Sequence, residues 1–579
     1  MKPDRLLQHF EQVAEAPDAV PRLRRFILDL AVRGKLVEQD PSDEPAAELL
    51  KRIEAEKARL IKAGEMRREK PSPPKSEDDV PFQVPRNWQW SRLAGVGFVN
   101  PRNDAEDGLK ASFVPMTLIS ADYGVANGHE IRPWGEIKSG YTHFAEGDVA
   151  LAKITPCFEN GKSMVLRGLT GGIGAGTTEL HVLRPALIDP DYVLIFLKCP
   201  HFIETGIPRM TGTAGQKRVP AEYFSFSPFP LPPLAEQHRI VAQVDELMAL
   251  CDELEAAQAK RERRRDRLVV ATLHGLNNGE PTAVPGTRPT FKENARFYFQ
   301  HLPRFTARPE HIHQLRQTIL ALAVRGKLVE QDPEDAPASI LLADIVKGRE
   351  RAIEVLGLRR QTALPEVRYV APPFGAPNSW VWSLVDDCFV VTGGIQKTPR
   401  RTPRDNAFPY VGVANVYRGR LDLSEVKQFE LNEGELEKLR LEENDLLIVE
   451  GNGSASEIGR CARWTGELSN CVHQNHIIRC RPGNPAISRF TELYLNSGIA
   501  VEAMRELAVT SAGLYNLSVG KIRKIRFPLP PLTEQHRIVA KVDELMALCD
   551  DLEVRLTATA TTRRQLLEAS LHEALEGES

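Results

Sequence analysis

The chain has 579 residues and a mass of 64.6 kDa, too long for one hydrophobic core and enough for roughly three to five domains. It is 42% hydrophobic and 26% charged, with a mean hydropathy of −0.30; no apolar run approaches the roughly 18 to 20 residues of a membrane span, so a membrane protein is excluded and a cytoplasmic one expected. The formal net charge of −3 excludes a uniformly basic nucleic-acid binder.

Taken in order, the opening MKPDRLLQHFEQVAEAPD mixes charges into every turn and lacks the apolar core of an export signal. Leu23 to Leu60 is helical in pattern but breaks at Gly34 and at Asp40-Pro41, which predicts a helix, a turn and a second helix. Arg67 to Asp79 is charged and Pro-rich and reads as an exposed link. Short β-type runs follow, among them Gly147 to Ile154 and Thr178 to Pro185, punctuated by Gly and Pro; they predict an α/β domain. Pro-Leu-Pro-Pro-Leu then gives an extended, turn-like stretch, and a helical pattern begins at Glu236. Ile240, Val244, Leu247, Cys251 and Leu254 form a heptad stripe on a helix expected to reach about Leu276. The eight cysteines show no small-scaffold spacing and would stay thiols in the cytosol.

After this point the chain is written again. LAVRGKLVEQDP at Leu30 to Pro41 recurs letter for letter at Leu322 to Pro333, an offset of 292 that also pairs Gln8-His9 with Gln300-His301 and Trp88, Trp90 and Ser91 with Trp380, Trp382 and Ser383. Phe229 to Glu255 returns as Phe527 to Glu553 with 24 of 27 positions identical at an offset of 298. The second stripe is Ile538, Val542, Leu545, Cys549 and Leu552. Between these anchors, Val96 to Pro228 and Val390 to Arg526 are nearly unrelated in letters. The scaffold is duplicated and its cargo has diverged, which suits two different reading heads held in a fixed mutual geometry. Each stripe needs a partner: its own duplicate, running antiparallel under internal two-fold pseudo-symmetry, or the domain that carries it.

The division that results is an N-terminal helical segment and link at 1–79, a first variable domain at 80–230, a long helix at 231–276, and a linker at 277–309. The order then repeats with a helical segment at 310–371, a second variable domain at 372–528 and a long helix at 529–579. Catalytic signatures are missing. Gly171 to Gly176 and Gly451-Asn452-Gly453 lack the spacing of a nucleotide loop, and Gly161-Lys162-Ser163 has Pro156 where a Walker A loop needs glycine. Nor is there an Asn-Pro-Pro-aromatic tetrapeptide of the amino-methyltransferases. Cys461, Cys471, His473, His476 and Cys480 raise a zinc hypothesis, but they form no Cys-x-x-Cys knuckle and an alternating strand cannot aim them all at one ion. No catalytic residue and no metal site is assigned.

What remains is DNA contact chemistry. The first variable domain offers Lys153, Lys162 and the run Gln216-Lys217-Arg218; the second offers Lys397, Arg400, Arg401 and Arg404 on a loop held open by prolines, then Tyr515, Asn516, Lys521 and Arg523. Side chains of these types neutralise phosphates and read purine edges. Residues 82–230 carry 14 basic and 14 acidic side chains, and residues 374–528 carry 19 and 18. The heads are near neutral, so local loops rather than bulk attraction must make the contacts.

FPLPPL-x-EQHRIVA-x-VDELMALCD and LAVRGKLVEQDP resemble the specificity subunit of Type I restriction-modification enzymes. The resemblance covers nearly the whole chain through its two-module order, while the variable domains match by position and texture only. It implies an α+β fold: two α/β target-recognition domains with internal pseudo-two-fold symmetry, joined by two long helices forming an antiparallel coiled coil. It also implies a non-catalytic subunit whose domains each read one half of a bipartite, asymmetric site on double-stranded DNA. Two modification subunits carrying S-adenosylmethionine would dock on the helices, and two restriction subunits using ATP and magnesium would complete the complex; this chain would bind no cofactor. Alternatives are a DNA-reading scaffold of another phage-defence complex, or a methyltransferase or nuclease in its own right.

Overall fold

The computed structural model describes residues 16, 18–67, 80–126, 128–213, 215–278, 290–358, 364, 372–452, 457–508 and 515–576. Most of the link expected at Arg67 to Asp79, and the first part of the linker after Asn277, lie outside them. Contacts divide the chain into two compact units, residues 1–262 with 559–579, and residues 263–558. Among the described residues no helix is long and apolar enough to cross a membrane.

The first unit opens with helices α1 (Ala19–Val32) and α2 (Ala46–Lys62). The break between them is dictated by Gly34, whose φ of 67° lies in the left-handed region and whose added Cβ would stand 2.5 Å from Cγ of Pro85. Strands β1 (Gln89–Arg92), β2 (Gly97–Val99), β3 (Lys110–Val114), β4 (Glu130–Pro133), β5 (Thr142–Ala145), β6 (Val149–Ala152), β7 (Ser163–Val165), β8 (Ile173–Gly176) and β9 (Leu180–Pro185) follow. Next come helix α3 (Pro190–Lys198), β10 (Pro228–Leu231) and the long helix α4 (Leu234–Asn278). The proline-rich stretch is β10 itself, pairing antiparallel with β1 through Trp90 opposite Pro230. The first head is therefore inserted between two paired strands. It holds one sheet in the order β2-β9-β6-β7 and another in the order β4-β3-β8-β5.

The second unit contains α5 (Phe291–Gln300), α6 (Pro309–Val324), α7 (Ala338–Val355), β11 (Val381–Leu384), β12 (Phe389–Gly393) and β13 (Ala407–Val411). It continues with β14 (Val416–Tyr417), β15 (Arg420–Leu421), β16 (Lys427–Glu430), β17 (Leu446–Val449), β18 (Gly451–Asn452), β19 (Cys461–Arg463), β20 (Val472–His473) and β21 (Ile477–Pro482). Helix α8 (Ser488–Leu495), β22 (Tyr515–Asn516), β23 (Arg526–Leu529) and the second long helix α9 (Leu532–Glu576), as far as Ala558, complete it. Helix α5 falls where the sequence reads as linker. A capping box between Thr290 and Glu293 starts it, and Tyr298 on its buried side joins Phe305, Val269 and Leu273 in one apolar cluster.

Although the heads share few letters, they share topology and register. β12-β21-β17-β19 repeats β2-β9-β6-β7, and β16-β13-β20 repeats β4-β3-β8 with the same single parallel pairing. Val149 faces Leu183 as Leu446 faces Cys480, and Phe98 faces Arg184 as Val390 faces Arg481. At the root of each sheet a buried aspartate meets an arginine fork: Arg184 on Asp148 at 2.9 and 2.8 Å, Arg481 on Asp445 at 2.9 and 2.8 Å. The residue before each aspartate, Gly147 or Asn444, has positive φ, and each carboxylate accepts the amide three residues upstream.

The stripe at the start of α4 is buried in its own unit: Ile240, Val244 and Cys251, with part-buried Leu247 and Leu254, join Val20, Ile27, Leu28 and Ala31 of α1. Ile538, Val542 and Cys549, with Leu545 and Leu552, likewise join Leu315, Ile319 and Ala323 of α6. Each short helix also receives the tail of a long one. In the second unit Val269, Leu273 and Leu276 of α4 enter the α6 cluster; in the first, Leu567 and Leu571 of α9 pack with Ala16 and Ala19. Polar contacts give the directions. Asp266 meets Arg308 and His311 at the start of α6, while Arg325 and Lys327 beyond its end donate to the Asn277 carbonyl, so the α4 tail runs along α6. Arg316 meets Asp550 and Glu553, and Gln331 beyond the end of α6 meets Glu534, so the start of α9 runs against it. The long-helix segments within that unit are antiparallel, with each stripe meeting the short helix of its own module.

Candidate nucleic-acid interface

The scaffold motifs explain themselves before the loops do. Glu236 at the start of α4 accepts Trp88 Nε1 at 2.9 Å and Gln39 Nε2 at 2.6 Å; Glu534 accepts Trp380 at 2.9 Å and Gln331 at 2.6 Å. Arg239 reaches Asp43 at 2.7 Å and Arg537 reaches Asp335 at 2.6 Å. Lys35 and Lys327 donate to terminal carbonyls of α9 and α4, at Leu575 and Asn277, where the partial negative charge of a helix end favours a cation. Arg33 and Arg325 lie over the rings of Phe82 and Phe374. The letters repeated between modules are those that lock each head to its helices.

The loops carry the differences. In the first head the segment after β6 bridges the segment before β10: Ile154 pairs with Arg218, and Thr155 N donates to the Lys217 carbonyl at 3.0 Å. That pairing brings Lys153, Gln216, Lys217 and Arg218 to one edge, with Gln216 and Lys217 exposed. In the second head the matching segments are β18 and β22, with Gly451 opposite Asn516 and Asn452 opposite Tyr515. Position for position, the edge exchanges Lys153 for Glu450, Lys217 for Tyr515 and Arg218 for Asn516. One backbone device thus carries different residue types in the two heads.

Other expected residues lie elsewhere. Lys162 sits against the 116–120 turn, its Nζ 3.4 Å from the Met116 carbonyl. Lys397, Arg400 and Arg404 are exposed on the proline-held loop. Arg401 on the same loop is turned inward, its fork closed on Glu435 and its Nη1 on the Glu430 carbonyl; Glu435 is held down to about 2 by that guanidinium. Arg523 is buried, with Nε 2.7 Å from Asp386, and Arg349 shares the same carboxylate. Arg401 and Arg523, both expected at the DNA, thus stand in ion pairs with Glu435 and Asp386. Arg218 is an intermediate case, at the surface but bidentate on Glu179 at 2.8 and 2.9 Å. Lys521 donates to the Asn516 carbonyl at 3.0 Å and so braces the edge.

Two features escaped sequence reading. The β14–β15 hairpin presents Tyr417 between cations, with Arg420 at 4.3 Å and Arg460 at 5.7 Å from its ring centroid. Its only sequence signal is the short run Tyr-Arg-Gly-Arg. In the first head, buried Lys198 donates to the carbonyls of Ala121 at 2.8 Å and Gly161 at 3.0 Å, fastening two loops; burial lowers it to about 7. The clustered thiols divide between cores: Cys461 and Cys480 face one apolar cluster and Cys471 another, and burial raises all three. His473 is buried on the Ile477 carbonyl and His476 is exposed beside Glu450.

Residues 385–561 match the family described as Type I restriction modification DNA specificity domain. The chain is 37% identical over 572 residues to the Type I restriction enzyme EcoEI specificity subunit of Escherichia coli, spanning 96% of this chain and 94% of that one. It is 36% identical over 560 residues to the EcoAI specificity subunit of the same species, spanning 95% and 93%. Among solved structures, the HsdS subunit from Thermoanaerobacter tengcongensis aligns at 17% identity with a TM-score of 0.41, covering 86% of this chain and 99% of that one. At 37% and 36% identity over nearly its full length to two such subunits, the chain belongs to the family of Type I restriction-modification specificity subunits.

Proposed function

We propose that this chain is the non-catalytic DNA-reading subunit of a Type I restriction-modification complex in the cytoplasm, each head recognising one half of a bipartite, asymmetric site. The observation that carries this reading is the paired edge of the two heads: identical strand register at 154/218 and 451/516, with dissimilar residues at the matching positions. A duplicated catalytic site would keep its chemistry and let its frame drift, whereas here the frame is kept and the displayed chemistry changes. The long helices hold the two heads at a set spacing and dock two methylating subunits that bring S-adenosylmethionine. Two restriction subunits bring ATP and magnesium. Near-neutral heads leave much of the phosphate grip to those partners.

The test exploits the insertion of each head between paired strands, β1 with β10 and β11 with β23. Residues 96–228 are replaced by the same segment of a relative with a different target, the modification subunits are supplied, and methylated sites are mapped genome-wide. One half-site changes while the other half and the spacer length stay as they were. A change in both halves would sink the independent-head reading. Methyl transfer by the purified chain alone would instead make it an enzyme.

A further inference from the structure

The middle of α4 carries Lys260, Arg261, Arg263, Arg264, Arg265 and Arg267 within eight residues, a charge run that the DNA-reading edges do not use. At the duplicate positions α9 has Ala558, Thr559, Thr561, Thr562, Arg563 and Gln565, so the run breaks the internal symmetry. Within the second unit it forms one wall of a groove of about 280 Å³ whose lining is Arg264, Arg265, Leu268, Phe297, His301 and Arg304, with Phe305 beneath. Asp266, next to Arg265 on the helix, is engaged by His311 at 2.8 Å and Arg308 at 3.4 Å. The groove is apolar as well as cationic: Leu268 is 48% and Phe297 42% exposed.

We infer that this groove seats an acidic protein segment, inserting one large apolar side chain between Phe297 and Leu268 with carboxylates on Arg264 and Arg304. The volume lies below the roughly 300 to 1,000 Å³ of small-molecule sites and matches one side-chain anchor. Arginine beside exposed aromatic rings is the composition of an interface hot spot. Charge complementarity selects an acidic occupant, and the apolar floor selects protein over nucleic acid, because a duplex backbone offers phosphates but nothing to bury on Phe297. By the offset of 292, the positions matching Phe297, Arg304 and Phe305 are Arg5, Gln12 and Val13. The duplicate module thus lacks these letters, and the groove takes one segment per chain, in contrast to any partner that binds both modules alike.

The probe is a fluorescein-labelled peptide with a Trp-Leu pair flanked by three glutamates on each side, titrated into the full chain and followed by anisotropy. Saturable binding at one site per chain is expected, weakened about tenfold or more by Arg264→Glu with Arg304→Glu. It should also weaken with Phe297→Ala and with added salt. A matched charge change on α7, Lys347→Glu with Arg351→Glu, leaves it unchanged, and circular dichroism checks that each variant folds. No binding, equal loss with the control, or two equivalent sites overturns the proposal. So does loss of nonspecific duplex binding by the Arg264 and Arg304 variant with peptide binding intact, which would make the groove a phosphate site.

Discussion

At the scale of single residues, the polar groups that matter most inside the heads are ones whose charge was visible in the sequence but whose partner was not. Arg481 could have been a DNA contact by its letter; its fork is instead closed on Asp445, fully buried beneath the sheet. Asp148 and Arg184 repeat the pair in letters that no identity search would align, because only four characters of backbone geometry connect them: two strands, one positive-φ residue and one amide. His473 shows how such burial becomes measurable. It is held neutral on the Ile477 carbonyl, and burial together with Arg479 and Arg481 lowers it to about 3, well under the usual 6.5. Since the folded value is the lower one, the unfolded chain takes up the extra proton. The stability that follows is full above pH 6.5 and is lost as pH falls toward the folded value. From pH 7 to pH 5 this one residue is expected to remove about 2 kcal/mol from the second head, at 1.36 kcal/mol per pH unit. Pulse proteolysis in urea at the two pH values measures it, and His473→Gln should flatten the difference; an unchanged slope would show the proton going elsewhere.

At the scale of elements, the proline-held loop between β12 and β13 illustrates why a basic run is a poor guide to a binding surface. Four cations stand within eight residues, yet the 3₁₀ turn Pro399–Arg401 points Arg401 inward to Glu435 while leaving Lys397, Arg400 and Arg404 exposed. Arg400→Ala with Arg404→Ala should therefore weaken binding of one half-site with little change in thermal stability, each lost phosphate contact lowering the salt dependence by about one unit. Arg401→Ala should instead lower stability by roughly 1 to 3 kcal/mol, since Glu435 loses a charge-assisted fork. Salt titrations on a duplex carrying the site, beside melting curves, separate the two. Sequence reading was strong where periodicity or punctuation forces the backbone, as at Gly34, Asp40-Pro41 and the two heptad stripes. It failed at α5, whose capping box and aromatic face were hidden beside a linker-like stretch. The shared sheet order of the heads was equally hidden, because register between distant strands leaves no trace in one sequence.

At the scale of the whole molecule, the duplication was legible from the letters alone, and so was the antiparallel sense that the long-helix segments show within the second unit. The place of the short helix was not, because a heptad stripe records that a partner exists without naming it. In the first unit the start of α4 is fastened to α1, and in the second unit its tail is fastened to α6; between Glu255 and Lys260 none of its side chains is fully buried. That stretch, with its duplicate near Arg555, is where length can change without disturbing either core. Seven residues inserted after Ala257 and seven after Arg555 preserve the phase of both stripes, because two helical turns of a heptad return the same face. They add about 10 Å to each helix at about 1.5 Å per residue. If the helices set the spacing of the half-sites, methylome mapping of this variant returns both half-sites unaltered with a spacer longer by up to about three base pairs, at about 3.4 Å each. Insertion of two residues at the same points rotates the stripes by roughly 200° and should cost folding instead. An unchanged spacer in the seven-residue variant would remove the helices from the measuring device and leave the heads to find their spacing through the partner subunits.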